Sequence, residues 1–333
     1  MRNVLRHVLF LLGLFALAYF LLTLDWQTLQ ESMRRLDPLF LLGAALASLF
    51  NIALKAIRWR LLIQSATAVR ISFTSAFASI YAGVASSSLV PGRAIEIAKP
   101  LILKGLYRVP LTPSTLAMLV ERALDLFSVV AIFLLSLLFL PGAAGSMHLP
   151  AKIALVLVIL LAATMTFPRI FWHGLQQASA RLPWPEPFRK QIGEMLLESG
   201  RSFLIWGEPK HFGLLLVLSM VALTAEVVRF YCVFRSMGLV VIPLGLALGY
   251  TASILVGTLS LLPGGLGVTE SFQGALLPLF IIGEGTPGVE RGAVLLDRIL
   301  SYYLVVLVGA IVLFWYQRAL RHKMECEIHA EGI

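Results

Sequence analysis

The sequence predicts an all-α polytopic membrane protein, an inverted repeat with about six full spans and two re-entrant helical hairpins. Three observations predict it: too little charge for a soluble surface, a succession of long apolar runs, and an ordered internal duplication. Of 333 residues, 59% are hydrophobic and 14% charged, whereas soluble domains carry charge on about a quarter of their residues. Mean hydropathy is +0.87. The continuous runs also exclude an outer-membrane barrel, whose segments alternate over about ten residues.

Nine apolar runs occupy 5–24, 39–62, 72–90, 115–140, 151–168, 211–234, 243–262, 268–282 and 292–316. The first continues past Ala16 and Ala18 through Tyr19 to Leu22, so it reads as an uncleaved span rather than a signal peptide. The net charge is +9, with basic residues scattered between the runs. That scatter lacks the basic-aromatic clustering of a nucleic-acid surface and reads as a topology signal. Nine crossings would put Arg2 and Arg6 on the opposite side from Arg318, Arg321 and Lys323. If 72–110 and 243–287 instead enter the membrane and return, six spans remain and both termini are cytoplasmic. Lys99, Lys104, Arg108 and the 169–210 connector then join them on the cytoplasmic side of an inner membrane. Such backbone needs protein or water around it, so the arrangement implies a polar cavity.

The connector has apolar residues Phe188, Ile192, Met195, Leu196 and Phe203 at helical spacing. That predicts an amphipathic helix over 186–204, lying on lipid or simply joining two spans. The expected organisation is one transmembrane domain over 1–320, followed by a cytoplasmic tail over 321–333. Within the domain, repeat A spans 39–140, a linker span and the amphipathic helix 151–205, and repeat B 211–316.

The repeats are visible as matched motifs. Lys55-Ala-Ile-Arg58-Trp59 parallels Glu226-Val-Val-Arg229-Phe230, and Pro91-Gly92-Arg93 with Glu96 parallels Pro263-Gly264-Gly265-Leu266-Gly267 with Glu270. Glu121-Arg122 then parallels Asp297-Arg298. Order and chemistry are kept at three places. Under the re-entrant topology the copies run in opposite directions, the architecture of many secondary transporters with a midplane substrate site.

Charges inside apolar runs cost about 2.5–3.5 kcal/mol each on insertion scales, so each needs a partner or a cavity. Pro91 and Gly92 break a helix beside Arg93 and Glu96, a geometry suited to an anion such as a lipid phosphate. The alternative is an interface anchor and a helix-capping carboxylate. Pro263, Gly264, Gly265 and Gly267 read as a hinge, gate or tight turn before Glu270. Arg122, Asp125, Asp297 and Arg298 sit on predicted spans. They are expected to pair structurally, or to hold a phosphate with the arginines and an ammonium or coupling proton with the carboxylates. Lys55, Arg58 and Arg60 around Trp59 read as interface anchors. Ser86, Ser87 and Ser88 can satisfy backbone groups freed by the break.

Cys232 and Cys326 form no metal or redox motif, and the histidines are dispersed. No nucleotide-binding, serine-hydrolase or zinc-protease motif is present. No cofactor, no metal and no nucleic-acid partner are expected.

Taken together, Arg58-Trp59-Arg60, Pro91-Gly92-Arg93 with Glu96, Glu121-Arg122 with Asp125, and Pro263-Gly264-Gly265-Leu266-Gly267 with Glu270 and Arg298 resemble the lysylphosphatidylglycerol synthase transmembrane, or flippase-like, family. The resemblance covers about residues 1–320. It departs at Ile95, where the family pattern has glycine, and at Lys99, where it has arginine. In the best-understood members of that family such a domain moves an aminoacylated phospholipid between leaflets and is fused to a cytosolic aminoacyl transferase. About 16 residues follow the last apolar run, so a stand-alone transport domain without lysyl transfer is expected. The resemblance implies a non-enzymatic inner-membrane flippase for an anionic phospholipid or a lipid-linked headgroup, including isoprenoid-linked lipids. The alternatives are a non-catalytic partner subunit of a lipid-modifying glycosyltransferase and, with least support, a membrane transferase using Asp125 or Asp297. A homodimer is compatible with either of the first two.

Overall fold

The computed structural model describes residues 2–67, 69–88, 96, 98–140, 177, 206, 208–260, 262–282 and 288–330. The described residues are helical apart from their connections and one isolated bridge between Val241 and Ile281. The helices are α1 (Arg2–Leu22), α2 (Trp26–Arg34), α3 (Pro38–Thr67), α4 (Phe73–Ser87), α5 (Ala98–Tyr107) and α6 (Leu111–Phe139). After these come α7 (Pro209–Ser236), α8 (Pro243–Leu259), α9 (Val268–Leu276), α10 (Val289–Arg298) and α11 (Leu304–Ala330). The expected span at 151–168, the amphipathic helix at 186–204 and the Pro91-Gly92-Arg93 break lie outside the described residues.

Among the described residues, four helical segments are long and apolar enough to cross a membrane: Pro38–Thr67, Leu111–Phe139, Lys210–Ser236 and Val289–Ala319. Their apolar windows are only 17–39% buried within the chain, so their outward surface needs lipid. α1 and α2 meet at a bend of 73°. The bend is fixed by Asp25, whose carboxylate accepts from the backbone N–H groups of Gln27 and Thr28 and so caps α2.

Two helical hairpins are made of shorter helices. α4 and α5 have 15 and 10 residues, or about 22 and 15 Å at 1.5 Å per residue. α8 and α9 have 17 and 9 residues, about 26 and 14 Å. All four fall short of the roughly 30 Å hydrocarbon layer. The ends of each hairpin meet. Ser75 at the start of α4 hydrogen-bonds Tyr107 at the end of α5. Before α8, Ile242 N–H donates to Phe280 C=O at 2.9 Å, and Ile282 N–H donates to Val240 C=O at 2.8 Å.

At the centre, α3 packs on α7. A Cβ added to Gly43 would lie against Cys232, Arg58 donates to Ser219, and Trp206 just before α7 donates to Ser65. Numbers rise along one helix as they fall along the other, so the two are antiparallel. Apolar clusters flank the crossing, one around Trp59, Leu62, Ile80, Leu103 and Leu124, the other around Phe230, Phe234, Leu246, Ala293 and Val294.

α11 approaches α4 through Gly309, where an added Cβ would run into the Tyr81 carbonyl oxygen and Ala85. Backbone does not yield as a flexible side chain does. Gly309→Ala is expected to cost about 1–3 kcal/mol through overpacking, read as a lower thermal midpoint in detergent. Gly213→Ala, where an added Cβ meets nothing within 4 Å, should leave that midpoint unchanged or slightly raised.

Candidate functional site

A cavity of about 220 Å³ opens where α3, α6, α7, α10 and both hairpins converge. Its wall is a chain of ion pairs. Arg58 on α3 bonds Glu121 Oε1 at 3.0 Å and Asp125 Oδ1 at 2.7 Å, and its third polar contact is Ser219 Oγ at 2.6 Å. Lys99 Nζ bonds Glu121 Oε2 at 2.8 Å and also Glu96 Oε2. Arg122 bonds Glu96 Oε1 and approaches Asp125 Oδ2 at 3.7 Å. The six charges close a ring of alternating sign.

The other half has its own set. Arg229 on α7 bonds Asp297 Oδ1 at 2.8 Å and Oδ2 at 3.3 Å, and the Tyr250 hydroxyl at 3.0 Å. Arg298 Nε bonds Glu270 Oε1 at 2.7 Å. Glu226 links the halves, accepting from Lys55 Nζ at 2.6 Å and from the Tyr250 hydroxyl at 2.9 Å. Lys55, Arg58, Lys99, Arg122, Arg229 and Arg298 therefore balance Glu96, Glu121, Asp125, Glu226, Glu270 and Asp297, and the described charges cancel. Burial is tolerable because each ion has a counter-ion at hydrogen-bond range.

Local structure aims these groups. Gly83 on α4 leaves room for Lys99 and Glu96, since an added Cβ would fall 2.7–2.9 Å from their side-chain atoms. The serines expected to serve the break donate to carbonyls at the end of α4: Ser86 to Gly83, Ser87 and Ser88 to Val84. At the second break, Gly264, Gly265 and Gly267 all have positive φ, from 65° to 77°. An added Cβ on Gly264 would strike the Tyr302 hydroxyl, and one on Gly267 the α1 backbone at Leu17. Glu270 falls in the first turn of α9, where the helix dipole favours a carboxylate. Directly after Asp297 and Arg298 the helix becomes a π-helix over Ile299–Tyr303, an irregularity that re-aims side chains and recurs at functional sites.

The expected residues Glu96, Arg122, Asp125, Glu270, Asp297 and Arg298 thus belong to one connected wall. Arg93 lies outside the described residues. Two expectations are corrected. Lys55 and Arg58 are not interface anchors: Arg58 is 1% exposed and Lys55 is paired across the α3–α7 crossing, while Arg60 alone of the three is exposed. Lys99 is not a cytoplasmic topology charge, being 2% exposed between two carboxylates. Glu121, Glu226, Arg229 and Tyr250 had not been assigned to the site. The signal for most of them was already in the duplication, since a charge retained in both copies cannot be an accident of flanking sequence. Lys99 has a local signal, its spacing of three from Glu96.

The side chains still open are few: Arg122 at 33%, Asp125 at 27%, Lys55 at 26% and Glu226 at 15%. Two cations and two anions of the wall can therefore meet a ligand without unpacking the rest. Arg58→Met should leave Glu121 with Lys99 alone and Asp125 with the more distant Arg122 alone, and cost about 3–5 kcal/mol, seen as a large loss of thermal midpoint. Arg60→Ala should leave the midpoint within error.

A family model described as the lysylphosphatidylglycerol synthase TM region matches residues 5–309. A UPF0104 membrane protein of Pyrococcus horikoshii is 26% identical over 91% of this chain and 96% of its own length. Two UPF0104 membrane proteins of Methanothermobacter thermautotrophicus are 21% and 26% identical, over 95% and 83% of this chain and 97% and 83% of their own lengths. With apolar helices of spanning length and a match over nearly the whole chain, this is a membrane protein that belongs to the lysylphosphatidylglycerol synthase transmembrane family.

Proposed function

We propose that the chain is an inner-membrane lipid translocator that carries the phosphate-bearing headgroup of an anionic phospholipid or lipid-linked molecule through the ion-pair cavity. One observation carries the reading: a cavity walled by paired charges, four of them still open, inside a body whose outer surface is apolar. A headgroup crossing the membrane must exchange water for equivalent partners, and acyl or prenyl chains must stay in hydrocarbon. This wall offers such partners. Arg122 and Lys55 can turn from their internal carboxylates to a phosphate, and Asp125 and Glu226 are then left for donors on the same headgroup. Because one ion pair replaces another, binding stays shallow, as transport requires. No bond-making step is assigned.

The proposed topology is six spans and two re-entrant hairpins with both termini cytoplasmic. It is supported by the four short hairpin helices and by the meeting of each hairpin's ends. An inverted repeat is supported by pairing that recurs in both copies. Arg58 with Glu121 corresponds to Arg229 with Asp297, and Arg122 with Glu96 corresponds to Arg298 with Glu270. Matched helices α3 and α7 run antiparallel, and Lys55 meets its own counterpart Glu226.

Leaflet transfer of fluorescent phospholipids in proteoliposomes tests the proposal. Arg122→Gln removes a charge-assisted bond of about 1.5–3 kcal/mol, so transfer should fall about ten- to a hundredfold, with Arg60→Ala unaffected. Unchanged transfer of every lipid tried in Arg122→Gln would contradict the reading. So would absence of transfer in the wild type combined with loss of a glycosylated lipid from cells lacking the protein, which would favour a transferase partner.

A further inference from the structure

Arg122 and Lys55, the two open cations of the wall, differ in what they leave behind. Each carboxylate near Arg122 has a second cation, since Glu96 keeps Lys99 and Asp125 keeps Arg58. Arg122 can therefore turn to a ligand without stranding a charge. Lys55 cannot. Its carboxylate is Glu226, at 2.6 Å, and among the described residues no other cation bonds Glu226.

Glu226 stands apart from the other wall carboxylates in the same way. Glu96, Glu121, Asp125, Glu270 and Asp297 each bond an arginine, and a guanidinium keeps its charge, so those five stay ionised. The titratable and charged groups that share the cavity around Glu226 are Lys55 from α3, Tyr250 from α8, Arg229 on its own helix, Arg122 and Asp125 from α6, and Asp297 from α10. Of these, Lys55 and the Tyr250 hydroxyl bond it directly. Arg229 is held by both oxygens of Asp297 and by that same hydroxyl. Once Lys55 leaves, Glu226 retains one neutral donor and no bonded cation. A carboxylate so enclosed cannot keep its charge cheaply, and a proton removes it.

The charge count points the same way. Six cations match six carboxylates in the wall, and a phosphodiester adds one negative charge. Hydroxyls on a headgroup can donate to Glu226 but leave that charge in place. One proton restores the balance.

We propose that Glu226 takes up a proton when an anionic headgroup draws Lys55 away, so that the headgroup moves together with a proton. The inference rests on the translocator reading and names what compensates the charge carried. The proton comes from water in contact with the cavity, adds to a Glu226 carboxylate oxygen, and is released when Lys55 returns.

Isothermal titration calorimetry of the purified full chain in neutral detergent, run in buffers of different ionisation enthalpy, reads binding and proton count together. The probe is dihexanoyl phosphatidylglycerol, whose phosphodiester does not itself titrate near neutral pH. About one proton should be taken up per lipid bound, with affinity rising by up to about tenfold for each unit that pH falls. In Glu226→Gln the uptake and the pH dependence should both vanish. If that variant does not fold, the charge-balanced double substitution Lys55→Gln with Glu226→Gln, read at saturating lipid, should likewise show no uptake. Binding to the wild type without uptake would overturn the inference and leave the translocator reading standing. Uptake that persists undiminished in the variant would assign the proton to another group and overturn it too. Failure of the wild type to bind would overturn both.

Discussion

Everything in this protein hangs on the two buried arginines at the crossing of α3 and α7. Arg58 and Arg229 are 1% and 3% exposed, and a guanidinium keeps its charge in any protein setting. Each therefore demands a carboxylate, and each obtains one from a neighbouring span, Glu121 on α6 and Asp297 on α10. Those carboxylates fix how far α6 and α10 are drawn in and how they are rotated. Lys99 then ties the first hairpin to Glu121, and Arg298, beside Asp297 in sequence, ties the second through Glu270. The apolar clusters fill the space that this skeleton leaves.

A wall of opposite charges that cancel has functional meaning. A cavity with a large excess of positive charge would hold an anionic headgroup tightly and release it slowly. In the proposed translocator, balanced pairs offer exchange instead, a headgroup taking one partner from a pair and giving one back. The open groups, Arg122, Asp125, Lys55 and Glu226, are the ones positioned for that exchange, and Glu226 is also the link between the halves through Lys55 and Tyr250. The π-helix after Arg298 and the glycine turn at 264–267 place irregular backbone beside the charges of the second half.

The broad architecture was legible in the sequence because composition and run length report directly on solvent. The runs over 39–62, 115–140, 211–234 and 292–316 correspond to the four spanning segments found among the described residues, and the break at Pro263 was signalled by proline and glycine. Glu96, Arg122, Asp125, Glu270, Asp297 and Arg298 stood out as charges in apolar surroundings. What failed was the rule that basic residues near aromatic or loop segments mark the membrane surface. Arg58 beside Trp59 and Lys99 beside Pro100 satisfy it locally, yet tertiary pairing buries both. Adjacency cannot tell a cation at the interface from one whose carboxylate arrives from a helix more than twenty residues away. For Arg58 the duplication held that information, since Arg58 and Arg229 recur in order with Glu121 and Asp297; for Lys99 it lay in the spacing of three from Glu96.

The central claim is that the paired-charge cavity receives a lipid headgroup. A cryo-electron microscopy map of the protein in nanodiscs containing anionic phospholipid tests it most directly. Headgroup density is expected inside the cavity within hydrogen-bond distance of Arg122, with the lipid chains leaving between helices into the bilayer. A cavity holding only water, with Arg122 still on Glu96 and all lipid confined to the outer apolar surface, would contradict it.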